Sequence, residues 1–227
     1  MSIKNYRLIF SLKGTNDKFL INLLNKKAKR VIQTNQIHSS IIFHWQNNES
    51  NITDLTIKAD GIISTDSDTI IRTIHADCLP IYFIDIKEDV FALIHAGWKG
   101  TLKKIVSKTL KEMVRYYKLN HSNIKVVIGP GIDQNNYQVG NEIFLSFKSS
   151  WNIDLDFFKA EKANNKYRLD LKEANRRLLI DAGLPAENIY VSKLSTFNSE
   201  KFFESYRRDG ETAGRMAAYI YKVRSST

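Results

Sequence analysis

The sequence predicts a mixed α/β (α+β) fold in one domain spanning residues 1–227, with central sheets flanked by helices. Three observations predict it. First, H-A-D-C-L-P-I-Y-F-I-D-I from His75 to Ile86 and V-F-A-L-I-H-A-G-W-K-G from Val90 to Gly100 flank a charged K-E-D tripeptide. Two β-branched and aromatic runs on either side of so short a break read as a tight antiparallel hairpin. Second, Thr101–Lys118 keeps Leu102, Ile105, Val106, Leu110, Met113 and Val114 on one helical face, with lysines and Arg115 opposite. Third, strand and helix patterns intermix along the whole chain, without an internal repeat, a low-complexity tract or a linker, as mixed α/β architectures require.

In chain order, Tyr6–Leu12 alternates as a strand, and Asp17–Lys29 carries Phe19, Leu20, Leu23 and Leu24 at helical spacing. Val31–His38 and Ile41–Trp45 are short strand candidates with His38 in the turn between them. Asp60–Thr65 and Thr69–Ile74 read as a further strand pair around D-S-D. In the central hairpin, pairing Ile86 with Val90 brings Cys78 and His95 to the open end. Strands pack about 5 Å apart, so a slip of three residues still leaves the two within roughly 10 Å. Ile124–Ile128 is a buried-looking strand running into G-P-G, Gly140–Phe147 is helical, and Tyr167–Asp170 is a strand. Asp170 then caps a second helix, with Glu173 completing a capping box and Gly183 and Pro185 ending it. Ile189–Ser192 and Ala217–Val223 are the last strands, and the polar segment between them, 195–215, is rich in groups able to bind a ligand.

Composition narrows the class of protein. With 43% hydrophobic residues and three prolines, the 227-residue chain can bury a sizeable core. A lone cysteine forbids an internal disulfide, and charges interrupt every apolar stretch of the N-terminus. No run reaches the length of a membrane span, so the expectation is a cytoplasmic globular protein with no membrane partner. The net charge of +10 comes from scattered lysines, with K-K-A-K-R at 26–30 the densest cluster. Without zinc-finger spacing or a recognition-helix pattern, nucleic acid is not the expected partner, and the positive surface favours anionic small molecules.

The chemistry gathers around Cys78. A thiolate and an imidazole meeting at a strand end can hold a metal or act as nucleophile and base, whereas a lone cysteine can equally be a buried structural thiol. His38, Cys78 and His95 would make two imidazoles and one thiolate, the three-ligand type of a catalytic zinc site with its fourth position open. Asp77 and Asp60 are candidate general acids or carboxylates that orient an imidazole. Arg207 and Arg208 are natural phosphate forks, although either could form a structural ion pair instead. Trp98 and Tyr206 could stack on a flat base. A multicopper centre is excluded by counting, because five histidines cannot furnish both a mononuclear and a trinuclear site. A single blue-copper centre would want an axial methionine, for which Met113 and Met216 are the interior candidates.

Q-I-H at 36–38, A-D-G-I-I-S-T-D at 59–66, A-D-C-L-P-I at 76–81, H-A-G-W-K-G at 95–100, I-G-P-G-I at 128–132, Y-Q-V-G at 137–140 and S-Y-R-R-D at 205–209 occur in that order. Together they resemble the YfiH/laccase-domain family, also called multicopper polyphenol oxidases. The resemblance implies an α/β fold and places His38, Cys78 and His95 on the family's zinc ligands. It further implies phosphorolysis of purine nucleosides (adenosine, inosine and methylthioadenosine) and adenosine deamination, with nucleosides and phosphate as the small-molecule partners. Some bacterial members have been called peptidoglycan-editing factors. The chain departs from the pattern at Lys99, where Arg is usual, and at His75, where Thr is common. Gly131 and Ser195 stand where many members carry cysteine. The expected function is therefore a zinc-dependent purine nucleoside phosphorylase with adenosine deaminase activity. The alternatives are a hydrolase using Cys78 as nucleophile with His95 as its base, acting on a cell-wall amide, and copper-dependent polyphenol oxidation.

Overall fold

A computed structural model describes residues 2–3, 5–16, 19–22, 30–46, 57–161 and 165–223. The predicted helix at 17–29 lies mostly outside the described residues, and only 19–22 are helical within them.

The centre of the fold is a six-stranded sheet. It contains β4 (Ile42–Trp45), β5 (Gly61–Ser64), β7 (Leu79–Asp85), β8 (Phe91–Ala96), β9 (Ile124–Ile128) and β13 (Ile189–Val191), in the order β13-β9-β7-β8-β5-β4. A five-stranded sheet stacks on it, ordered β1 (Ser2–Ile3), β2 (Tyr6–Phe10), β14 (Met216–Lys222), β6 (Thr69–His75) and β3 (Arg30–Ile32). A small third sheet holds β10 (Gln138–Gly140), β12 (Lys166–Leu169) and β11 (Phe158–Glu161). The helices are α1 (Trp98–Leu102), α2 (Ile105–Tyr117), α3 (Asn141–Ser150), α4 (Leu171–Asp181) and the short α5 (Tyr206–Asp209).

Side-chain alternation explains the layering. In β7 and β8, Ile81, Phe83, Ala92 and Ile94 join the core beneath α2 and α4, while Tyr82, Ile84, Phe91 and Leu93 join the core between the two large sheets. Both faces of the hairpin are buried, which is why its strands read as continuous apolar runs. By the same period of two, Cys78, Asp60, His75 and His95 fall on the inter-sheet side. The functional residues therefore sit where the layer between the sheets runs out. No helix among the described residues is long and apolar enough to cross a membrane.

Several elements differ from the sequence reading, each for a physical reason. The segments at Asp60–Thr65 and Thr69–Ile74 are strands, but they do not pair with each other. β5 pairs with β4 and β8, whereas β6 pairs with β14 and β3 in the other sheet. The turn between them is closed by Asp66, whose carboxylate accepts from the Asp68 amide and the Thr69 hydroxyl. The central hairpin is present with its register moved by one residue, so that Ile84 faces Phe91 and Pro80 faces His95. Asp85 causes the shift. Its carboxylate accepts from the Lys87 and Glu88 amides, both at 2.7 Å, and starts the turn a residue early.

The strand expected over Val31–His38 is only Arg30–Ile32, because the Gln36 side chain replaces the next rung. Its amide donates to Ile74 O at 2.9 Å and accepts from Ile74 N at 2.8 Å. The capping box at Asp170 is half formed. Asp170 accepts from Glu173 N, but its own amide donates to Phe157 O, and Glu173 turns to Arg176 and Arg177.

The helix expected over Thr101–Lys118 is two helices. The Leu102 carbonyl accepts the Trp151 indole N–H at 3.0 Å, and Lys104 adopts a left-handed conformation with φ 59°. A non-glycine residue there costs roughly 1–2 kcal/mol. Lys104→Gly should therefore raise the unfolding free energy by about 0.5–1 kcal/mol after the extra entropy of glycine in the unfolded chain. Lys104→Ala should give no gain. Denaturant melts of both variants check this, and equal behaviour would remove the break as a source of strain.

Candidate functional site

The site is built on Asp60, which is fully buried just before β5. Its carboxylate accepts from the amides of Ile37 (3.3 Å), His38 (3.0 Å) and Ser39 (2.6 Å), from the Ser39 hydroxyl (2.7 Å), and from His95 Nδ1 (3.0 Å). Burial raises the Asp60 pKa, but His95 and the Ser39 donors outweigh it and hold the carboxyl at about 2. This one anion does two things. It winds the 37–39 turn around itself, with His38 at φ 55°, and it fixes the proton of His95 on Nδ1, leaving Nε2 as the free donor atom.

His95 and His38 lie edge to face with ring centroids 4.9 Å apart, and Cys78 completes the group. The donor atoms of His38, Cys78 and His95 all lie within 4.8 Å of one another. Burial pushes the Cys78 thiol up, yet the two imidazoles more than reverse this, so the thiolate is favoured. Burial likewise disfavours a charged His95, and the thiolate and Asp60 pull its pKa up. A soft thiolate and two imidazoles, one oriented by a carboxylate, form a donor set suited to zinc. Gly97 is required beside them, because a Cβ there would come within 2.7 Å of Cys78 Sγ.

His75, the additional imidazole, is turned away from this role. Nδ1 lies 3.1 Å from the Cys78 carbonyl, an acceptor only, so it carries the proton, and Nε2 accepts from the Thr73 hydroxyl at 2.7 Å. Burial, then the neighbouring His95, holds its pKa well below the usual value, so it is neutral. His44 is bonded to Glu112 and Tyr117 on the helical side, and His121 lies beside Gly183.

Asp77, expected as a general acid, has φ 81° and a buried carboxylate engaged by three donors. It accepts from Thr196 Oγ1 (2.7 Å), Ser205 Oγ (3.0 Å) and the Arg207 amide (2.7 Å). These contacts tie the 195–209 segment to the residue preceding Cys78. A bridge between Gly131 and Ser195 fastens the same segment at its start.

A cavity of about 470 Å³ opens against the triad, and Trp98, Tyr137, Tyr206, Arg207 and Arg215 are among the residues of its wall. Trp98, Tyr206 and Arg207 were legible in the sequence; Tyr137 and Arg215 were not singled out there. Tyr137 stands in Y-Q-V-G and Arg215 in the polar 195–215 segment, so the motif string and the segment's composition were the available signals.

Arg208 is not at the cavity. Its Nε and Nη2 pair with Asp209, Nη1 donates to the carbonyls of Thr196 and Phe197, and Nη2 donates also to Phe203 O. The phosphate role considered for it is corrected by this geometry, because all five N–H groups are engaged in holding the segment.

An α/β fold of two large stacked sheets and a small third one, with a His–Cys–His group at the end of the layer between the large sheets, defines the class, and known proteins agree with it. The chain belongs to the multi-copper polyphenol oxidoreductase laccase family, whose model matches residues 14–222. It is 36% identical to a purine nucleoside phosphorylase of Staphylococcus epidermidis over 78% of this chain and 65% of that protein. It is also 36% identical to the purine nucleoside phosphorylase YlmD of Bacillus subtilis, over 71% of this chain and 58% of the relative. The match thus spans less than two thirds of the length of these two relatives. Among solved structures, YlmD from Geobacillus stearothermophilus superposes with a TM-score of 0.82 at 30% identity, covering 91% of this chain and 78% of that one. The Bacillus licheniformis protein YfiH gives 0.84 at 28% identity, covering 96% and 93%.

Asp60→Asn should cost about 2–4 kcal/mol of stability, since buried donors lose an anionic acceptor and the amide adds a hydrogen of its own. Urea unfolding measures this, and a change under 1 kcal/mol would show that the 37–39 turn does not depend on the charge.

Proposed function

We propose that this chain is a zinc-dependent purine nucleoside phosphorylase that also deaminates adenosine. The observation that carries the reading is the meeting, at one cavity, of the His38–Cys78–His95 donor set with the Arg207 guanidinium. The relatives named purine nucleoside phosphorylase support it. A zinc ion held by His38, Cys78 and His95 would supply Lewis acidity at the inner end of the cavity. Arg207 binds the phosphate oxyanion, and Asp77 acts as a positioning residue by gripping the Arg207 amide. Trp98 and Tyr206 supply flat surfaces for the base. In phosphorolysis a phosphate oxygen bonds to the sugar's anomeric carbon as the bond to the purine nitrogen breaks, and the base leaves with a proton. In deamination water replaces the exocyclic amine, which leaves as ammonia.

Zinc is favoured over copper by the residues around the site. Met113 projects from α2 into the core, and Met216 Sδ accepts from the Glu204 amide; neither lines the cavity as an axial ligand would. A second reading has its own observation. Asp60, His95 and Cys78 stand in the order of a carboxylate–imidazole–thiol relay, which is the arrangement of a cysteine hydrolase. The third donor, His38, has no part in that relay and favours the metal.

Protein purified without added metal should carry about one zinc per chain, as a single three-ligand site requires. Cys78→Ser and His95→Ala should each strip it, whereas His75→Thr should retain it because neither His75 nitrogen is free. Metal analysis of the folded variants checks this, and full occupancy in the first two would overturn the ligand set.

Adenosine, inosine and methylthioadenosine should release free base only when phosphate is present, while adenosine should yield inosine without it. Arg207→Lys should raise the phosphate requirement for base release by about 10- to 100-fold, because lysine offers a point charge in place of a fork. Deamination, which uses water, should change far less. The ratio of the two activities is the measurement, and no base release from any of the three nucleosides would sink the reading.

A further inference from the structure

Three arginines leave the segment that closes the cavity, and their donor inventories separate them. Arg208 has no free N–H, as described above. Arg207 commits only Nη1, to the Gln138 carbonyl at 2.6 Å. Arg215 commits only Nη1, to the carbonyls of Ala213 (2.9 Å) and Gly214 (3.0 Å). In each of these two, Nε and Nη2 have no partner among the described residues. Each guanidinium is also steadied by a tyrosine ring, Arg207 at 5.1 Å from the Tyr137 centroid and Arg215 at 5.9 Å from that of Tyr206. Such packing restricts the side chain while leaving its N–H edge available to an oxyanion.

The surrounding charge points the same way. Among the described residues, Asp77 is the one carboxylate in the cavity wall, and its oxygens already accept three donors. Among the described residues, the cavity therefore holds two under-committed guanidinium groups with no uncommitted carboxylate to pair with them, beside the exposed Lys99 ammonium at the same wall.

We propose that Arg215 is the second arm of an oxyanion clamp and binds the phosphate dianion together with Arg207. The proposal deepens the phosphorylase reading and rests on it for the identity of the anion. Two guanidinium groups match the two charges of the dianion, and each can donate through two N–H groups to adjacent oxygens.

The test titrates inorganic phosphate alone into the full-length protein by calorimetry. Arg207→Ala and Arg215→Ala should each weaken binding by about 10- to 100-fold. Arg215→Lys should recover only part of the loss. Should Arg215→Ala fail to fold, Arg215→Gln replaces it, because its amide can still serve a neighbouring carbonyl. Phosphate binding unchanged in the folded Arg215 variant overturns the clamp, as does a wild-type protein that does not bind phosphate. The phosphate requirement for base release by the wild-type protein is scored separately. If that requirement is met while Arg215 proves indifferent, the clamp alone fails. If Arg215-dependent phosphate binding occurs without base release, the phosphorylase reading alone fails.

Discussion

A single buried anion, the Asp60 carboxylate, is the constraint on which the rest of the site depends. Removing a carboxylate from water costs several kcal/mol, and the fold offsets this with five donors drawn from two separate regions of chain. Four of them belong to the 37–39 turn and the fifth is His95. The two imidazoles of the triad are therefore placed by the same pair of oxygen atoms, although 57 residues separate them in sequence. The strand next to Asp60 supplies the leverage. β5 lies between β4 and β8, so the carboxylate is fixed relative to His95 by the sheet before any side chain is considered.

A second carboxylate works on the other side of Cys78. Asp77 reaches across to Thr196, Ser205 and the Arg207 amide, and its left-handed backbone turns it out of the strand line to do so. The cysteine thus stands between two anions with opposite duties. Asp60 organises the imidazoles, and Asp77 organises the segment bearing the arginines. Arg208 reinforces the second arrangement by engaging three carbonyls of that segment, which shows how two adjacent residues of one type can divide between wall and scaffold.

Much of this was legible because it depended on local pattern. The continuous apolar runs through Ile81–Ile84 and Phe91–Ile94, with a short charged break between them, were enough to predict the hairpin and bring Cys78 near His95. The motifs from Q-I-H to S-Y-R-R-D were enough to predict the family and to single out His38, Cys78 and His95, whose donor atoms the fold brings together. Most of what could not be read depended on partners distant in sequence. The break after Leu102 is made by an indole 49 residues downstream, and nothing in the apolar stripe of 101–118 betrays it. The one-residue register shift comes from the Asp85 side chain competing for turn amides, a choice the K-E-D tripeptide leaves open. The pairing of Asp60–Thr65 with Thr69–Ile74 failed because each found a better neighbour in a different sheet. Arg207 and Arg208 were indistinguishable until the carbonyls around them were placed.

Gly97 gives the H-A-G-W string its diagnostic force. The thiol of Cys78 occupies the space where any other residue at 97 would put its first carbon. The position is a steric filter and not a chemical participant: it contributes no donor atom, yet it limits which chains can assemble this group. A sequence that kept both histidines and the cysteine but carried alanine there would have every donor and no room for the sulfur. Presence of the ligands is thus a weaker criterion for this kind of site than the absence of a side chain beside them.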